Sequence, residues 1–190
     1  MSDRIISIGE ATFAGCSSLT SIVLPNGITA ISSEIFSGCS SLTSIVLPNK
    51  ITEIGSVAFY GCSALTSIIL PDMVTSIGSG AFHGCSALTS VVLPDMITSI
   101  GSSAFKYCSS LTSINIPDMV FMIAYETFDG CSSLNDLYCY ATTPPAISTY
   151  YGSPFPVYGE KTILHVPMRC VTKYKSSDWG KYFKTIKEME

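Results

Sequence analysis

The residues of this chain with the most obvious chemical potential are its eight cysteines. Six of them, Cys16, Cys39, Cys62, Cys85, Cys108 and Cys131, recur every 23 residues, while Cys139 and Cys170 stand outside that register. A regular row of thiols invites a disulfide or a metal reading, and geometry argues against both. Repeats stack at a strand spacing of ~4.8 Å, whereas a disulfide brings its Cβ atoms to about 3.8 Å with a fixed dihedral. Zinc needs ligands that converge tetrahedrally, which a row does not supply. The spacing therefore predicts a column of buried, inert thiols. Cys139 sits where other units have Leu24 or Ile116, so it too is expected in the core. A Cys139–Cys170 bridge is conceivable in an oxidising compartment.

The other candidate groups lack partners. His83 fills a variable slot also occupied by Ala14, Ser37, Tyr60, Lys106 and Asp129, which predicts a surface position. His165 has no acid or thiol that spacing alone places beside it. The many serines have no paired base, and a nucleophile needs one within hydrogen-bond reach. Asp72, Asp95 and Asp118 share one register and read as solvated turn residues rather than a cation site. No Gly-rich phosphate loop, HExxH or CxxC motif occurs. No catalytic, cofactor-binding or metal-ligating residue is assigned, and the expectation is a protein that binds rather than catalyses.

The elements that hold these residues follow from self-similarity. Phe13, Phe36, Phe59, Phe82, Phe105 and Phe128 recur at intervals of 23, as do Leu19, Leu42, Leu65, Leu88, Leu111 and Leu134. Pro25, Pro48, Pro71, Pro94 and Pro117 keep the same register. Six units run without insertion over residues 5–142. Each holds L-x-x-I-x-L, a short strand with, in the first unit, Ile22 and Leu24 inward and Ser21 and Val23 outward. The proline that follows has no N–H and ends the ladder at the same point in every coil. The I-T-x-I piece predicts a second short strand. The A-F-x-G-C stretch predicts a helical turn stopped by glycine. One unit cannot bury its own apolar face, so stability must come from stacking.

Composition agrees. The 190 residues are 47% apolar and 13% charged, which excludes a disordered chain. No apolar run reaches the ~20 residues of a membrane-spanning helix. Residues 1–142 carry ten acids against three bases, and residues 143–190 carry four acids against seven bases. Neither part has the dense basic stripe of a nucleic-acid binder. Residues 143–190 are expected to cap the solenoid. Thr162–Val166 would add a last strand, and one or two helices over 169–190 would bring Val171, Tyr174, Trp179, Phe183 and Ile186 over the final coil. At the other end Met1–Arg4 lead into Ile5 midway through the pattern, with no signal peptide visible. Either more sequence precedes, or Ile5, Ile6 and Ile8 lie near an exposed edge, with end-to-end dimerisation as the physical alternative. The sequence leaves the oligomeric state open.

The A-F-x-G-C-S-x-L-T-S-I-x-L-P pattern, near verbatim in units three and four, resembles the BspA-like leucine-rich repeats. The tail is similar to that family's terminal segment in Ala141–Pro145, Leu164–Pro167 and the lysine-rich Tyr174–Trp179 stretch. The resemblance implies a right-handed superhelix with a parallel sheet on its concave face. It also implies a secreted or cell-surface setting and adhesion or binding to a host or neighbouring-cell surface protein.

Departures from the repeat mark where a ligand would bind. Met73, Met96 and Met119 replace a small or polar residue and form a flexible apolar column, serving either as contact surface or as local packing. The last unit adds Phe121, Tyr125, Tyr138 and Tyr140, and the irregular segment 143–161 adds Tyr150, Tyr151, Phe155 and Tyr158. These residues are the expected recognition site, against the plainer reading that the segment packs over the last coil. Two further readings are a spacer solenoid without a ligand and a carbohydrate-binding module using the tyrosines.

Overall fold

A computed structural model describes residues 4–148, 152–155 and 161–189. In chain order its strands are β1 (Ala30–Ile31), β2 (Glu53–Ile54), β3 (Ser67–Ile69), β4 (Ser76–Ile77), β5 (Ser90–Val92) and β6 (Ser99–Ile100). There follow β7 (Ser113–Ile116), β8 (Met122–Ile123), β9 (Asp136–Cys139), β10 (Ala146–Ile147), β11 (Ile163–Val166) and β12 (Thr185–Glu188). A long parallel sheet runs β12-β11-β9-β7-β5-β3, and a single Val23–Val46 bridge carries the same pairing into the earlier coils. A second sheet of two-residue strands runs β1-β2-β4-β6, and β8 pairs with β10 further along. Every pairing is parallel, and along the long sheet from β3 to β9 partners lie one repeat of 23 residues apart, such as Ser67 beside Ser90. This is the leucine-rich-repeat superhelix that the sequence implied.

The interior is a set of columns. Seven phenylalanine rings, Phe13 through Phe128 and then Phe155, stack face to face with neighbouring centroids 5.3 to 6.0 Å apart. The last step is longer in sequence because the irregular segment intervenes, yet Phe155 is fully buried and completes the stack. Beside it runs the thiol column. The Cys62 Sγ donates to the Phe36 carbonyl at 3.2 Å, and Cys85, Cys108 and Cys131 repeat the contact with the preceding coil. A small, buried group with a weak donor fits that slot, where a methyl would leave the bond unmade.

The A-F-x-G-C stretch is not helical. Two residues per coil stand in the left-handed region: Ala11, Glu34, Val57, Gly80, Ser103 and Glu126 in one column, and Gly15, Gly38, Gly61, Gly84, Tyr107 and Gly130 in the other. Residues at positive φ cannot propagate a right-handed helix. Their neighbours bond to the next coil instead, as when the Phe59 N–H donates to the Ala81 carbonyl at 2.8 Å.

The C-terminal segment also differs from the expected helices. Helix α1 spans only Val171–Lys175, a 3-10 turn spans Asp178–Lys181, and Ile186 lies in β12. A helix there would leave the edge of β11 unpaired, whereas β12 satisfies it along four residues. The residues expected over the last coil do reach it. Tyr174, Trp179, Phe183 and Ile186 are buried and Val171 partly so. The Trp179 Nε1–H donates to the Pro145 carbonyl at 2.7 Å, and the Tyr174 hydroxyl donates to the Ala141 carbonyl at 2.7 Å. At the other end Ile6 is 72% exposed, while Ile8 and Phe13 are half-buried against the core.

Candidate functional site

Alternation along the long sheet decides which side chains face outward. Two positions in each strand do so, and they stack into two columns across the coils. In one, Val23, Val46, Ile69 and Val92 stand exposed, Ile69 at 85%. Asn115 then interrupts the apolar run. Its side chain turns onto the neighbouring strand, accepting from the Leu93 N–H at 3.0 Å and donating to the Leu93 carbonyl at 2.8 Å. Beyond it the register continues as Tyr138, His165 and Lys187 on β9, β11 and β12.

This last trio is the most organised group on the sheet. The His165 ring lies 4.4 Å from the Tyr138 ring and nearly parallel to it. Its Nε2 is 2.7 Å from Oδ1 of Asp136, which comes from the adjacent column of the same strand as Tyr138. Tyr138, Tyr140, His165, Lys187, Glu188 and Met189 line a shallow depression of about 520 Å³. The Glu188 carboxylate accepts from the Arg169 N–H at 2.7 Å. The depression thus offers aromatic faces, an oriented imidazole and an ammonium. Spacing alone places no acid beside His165. The Asp136 contact corrects that, and its signal was the Ser-column register, where Asp136 alone breaks a run of serines.

The other expected site residues are dispersed. Tyr138 and Tyr140 belong to the depression. Met73, Met96 and Met119 are each about half exposed, on the turns that follow the long-sheet strands, and Phe121 is 68% exposed beside Met119. Tyr125 lies on the turn after β8, half-buried. Tyr150, Tyr151 and Tyr158 lie outside the described residues. Asp72, Asp95 and Asp118 are exposed turn residues.

The thiols are free, Cys139 and Cys170 included. The Cys139 Sγ instead lies 3.2 Å from the Tyr174 hydroxyl oxygen. Burial pushes the Cys62 thiol up to about 12, and raises Cys85, Cys108, Cys131 and Cys139 as well. Protonated, enclosed thiols are poor nucleophiles and poor ligands. Among the described residues no three His, Cys, Asp or Glu side chains gather as a metal site. Nor is any helix there long and apolar enough to cross a membrane.

A model of the BspA-type leucine-rich-repeat region matches residues 2–141 in six copies. The chain belongs to the BspA-type leucine-rich-repeat family. Such repeat proteins typically serve as protein-interaction modules. The crystal structure of a leucine-rich-repeat protein from Treponema pallidum is similar at 30% identity and a TM-score of 0.68. The match covers 85% of this chain and 67% of that one. A leucine-rich-repeat protein from Bacteroides ovatus is 22% identical with a TM-score of 0.47, over 99% of this chain and 58% of that one. A leucine-rich cell-surface protein from Faecalibacterium prausnitzii is 22% identical with a TM-score of 0.44, over 95% and 62%. This chain therefore spans less than two thirds of the last two. No curated protein matches the sequence.

Proposed function

We propose that this BspA-type repeat chain is a recognition module, displayed on a cell surface or secreted, that binds a surface protein of a host or neighbouring cell. The outward face of the long sheet supplies the contact, and the depression around Tyr138 and His165 anchors it. One observation carries this reading: an exposed apolar column, Val23 to Val92, is followed in the same register, beyond Asn115, by an aromatic and cationic end. A contiguous exposed apolar patch marks an interaction surface, and tyrosine is enriched at interface hot spots. Met73, Met96, Met119 and Phe121 widen the surface along one flank, where flexible thioethers adapt to a partner. Tyr125, Tyr150 and Tyr151 complete the proposed set. Residues 143–190 serve as the cap to the repeats of 5–142.

The test is capture of surface proteins from intact host cells by cross-linking. Wild-type chain should capture a discrete partner, and the variant lacking Tyr138, Tyr140, Tyr150 and Tyr151 should not. Capture that survives this change removes the site, and capture of nothing by wild type leaves the spacer reading in its place. A binding profile restricted to glycans would favour the carbohydrate reading.

A further inference from the structure

The chain has four asparagines, Asn26, Asn49, Asn115 and Asn135, and their surroundings differ. Asn26 precedes Gly27 and stands exposed on the turn after Val23 and Leu24. There the Ile28 N–H donates to the Pro25 carbonyl at 3.4 Å. The same turn recurs in the next four coils, closed at 3.0 to 3.2 Å, so the first is held by the longest bond. Among the described residues neither the Asn26 carboxamide nor the Gly27 N–H has a hydrogen-bond partner. The other three asparagines are crowded or tied. Asn49 occupies the same turn but precedes Lys50, which carries a long side chain. The Asn115 carboxamide is bound through both its oxygen and its nitrogen to Leu93 and precedes the branched Ile116. After Asn135, the Asp136 N–H is committed to the Thr112 carbonyl at 3.3 Å.

We propose that Asn26 is a site of spontaneous deamidation, with water as the co-reactant. The Gly27 amide nitrogen bonds to Cγ of Asn26 and the carboxamide C–N bond breaks. The Gly27 proton passes through solvent to the departing ammonia, and a cyclic succinimide remains. Water opens that ring at either carbonyl, giving aspartate or isoaspartate, so one water is consumed for each ammonia released. The attacking nitrogen must be free of other bonds, unhindered, and able to turn toward Cγ. The unbonded N–H meets the first requirement. Glycine meets the other two, because it has no Cβ and samples more backbone conformations than any other residue. Asn26 and Asn49 line a shallow depression of about 260 Å³ together with Val23 and Val46. The product therefore places a carboxylate at the apolar end of the long sheet. Asp72, Asp95 and Asp118 occupy the same place in later turns, so the fold accommodates a charge there. The isoaspartate form also routes the main chain through one extra carbon and lengthens the turn. The site is separate from the Tyr138 depression, and the inference stands independently of any partner.

The experiment is incubation of the folded full chain at mildly alkaline pH in ¹⁸O-labelled water, followed by peptide mapping. The label is expected in the peptide holding Asn26, as a mixture of aspartate and isoaspartate, with Asn49, Asn115 and Asn135 intact. A protein isoaspartate methyltransferase should then modify that peptide alone. Gly27→Ala should slow the conversion about fivefold, and Asn26→Gln should abolish it. The proposal is overturned if the folded chain keeps Asn26 while the urea-unfolded chain loses it, because the native turn then blocks attack. Conversion of Asn49 at the same rate as Asn26, or an equal rate in Gly27→Ala, overturns it as well.

Discussion

His165 and Asp136 sit two residues out of strand register, yet Nε2 of one lies 2.7 Å from Oδ1 of the other. A carboxylate only accepts, so Nε2 must carry the proton. Whenever the ring is neutral, Nδ1 is then bare. Long-range ¹H–¹⁵N spectra should show a pyridine-like Nδ1 in wild type and a mixed tautomer in Asp136→Ala. An Nε2 that carries no proton in the wild type contradicts the contact. The same variant should lose partner capture in part, because the ring is no longer aimed.

The buried thiols make the fold sensitive to alkali. Their folded values lie above the ordinary thiol value of 9.0, with Cys62 near 12. Below 9.0 both states keep the proton and stability is unaffected. Above it the unfolded chain ionises first and binds fewer protons, so stability falls with pH up to about 12 for Cys62. The melting temperature should drop steeply above pH 9, and less steeply in a Cys62→Ala, Cys85→Ala double variant relative to its own value at pH 7. An identical slope in both proteins would rule out the thiols as the cause. At neutral pH only Cys16, exposed, and Cys170, half-buried, should react with a thiol reagent before unfolding.

Gly130 carries two separate requirements. Its φ of 75° lies in the left-handed region, and a Cβ there would overlap the Tyr107 ring. Gly130→Ala should cost ~1–2 kcal/mol for the backbone alone, and a further ~1–3 kcal/mol for the overlap. In a Tyr107→Gly background the second part should vanish. Denaturant titration of the four proteins in this cycle gives the coupling, and additive costs would mean the ring does not press on Gly130.

Trp179, the sole tryptophan, ties the C-terminal segment to the coils. It is fully buried against Phe155 and Phe183 and bonded to Pro145. Trp179→Ala should destabilise by about 3–5 kcal/mol, read by circular dichroism in urea. In wild type the emission should be blue-shifted and resist acrylamide. Ready quenching in the native protein would show that the indole is not enclosed.

What the sequence revealed and what it hid divide along periodicity. Phe, Cys and Leu at intervals of 23 fix the coil, because a stacked repeat admits one inward face. The pairing of His165 with Asp136 was hidden because 29 residues separate them and an irregular segment resets the count. Residues 183–188 fit a helical face and a strand equally well, with Phe183 and Ile186 apolar either way. The open edge of β11 decided between them, and no local pattern encodes that edge. Tyr107 stands where five other coils have glycine, and its ring neighbour His83 lies one coil back and Tyr60 two. Only stacking makes them adjacent.

The side chain of Asn115 takes up the backbone of Leu93, and β5 and β7 share two registered pairs where β7 and β9 share four. Within a coil the bonds to its neighbour carry load side by side, but the junctions themselves lie in series. A pull applied to the two ends of the solenoid is therefore borne equally by every junction, and the one with the fewest backbone links yields early. Each coil that peels away releases 23 residues of slack, about 80 Å at full extension. A tether built this way lengthens in steps under tension and holds its remaining coils intact.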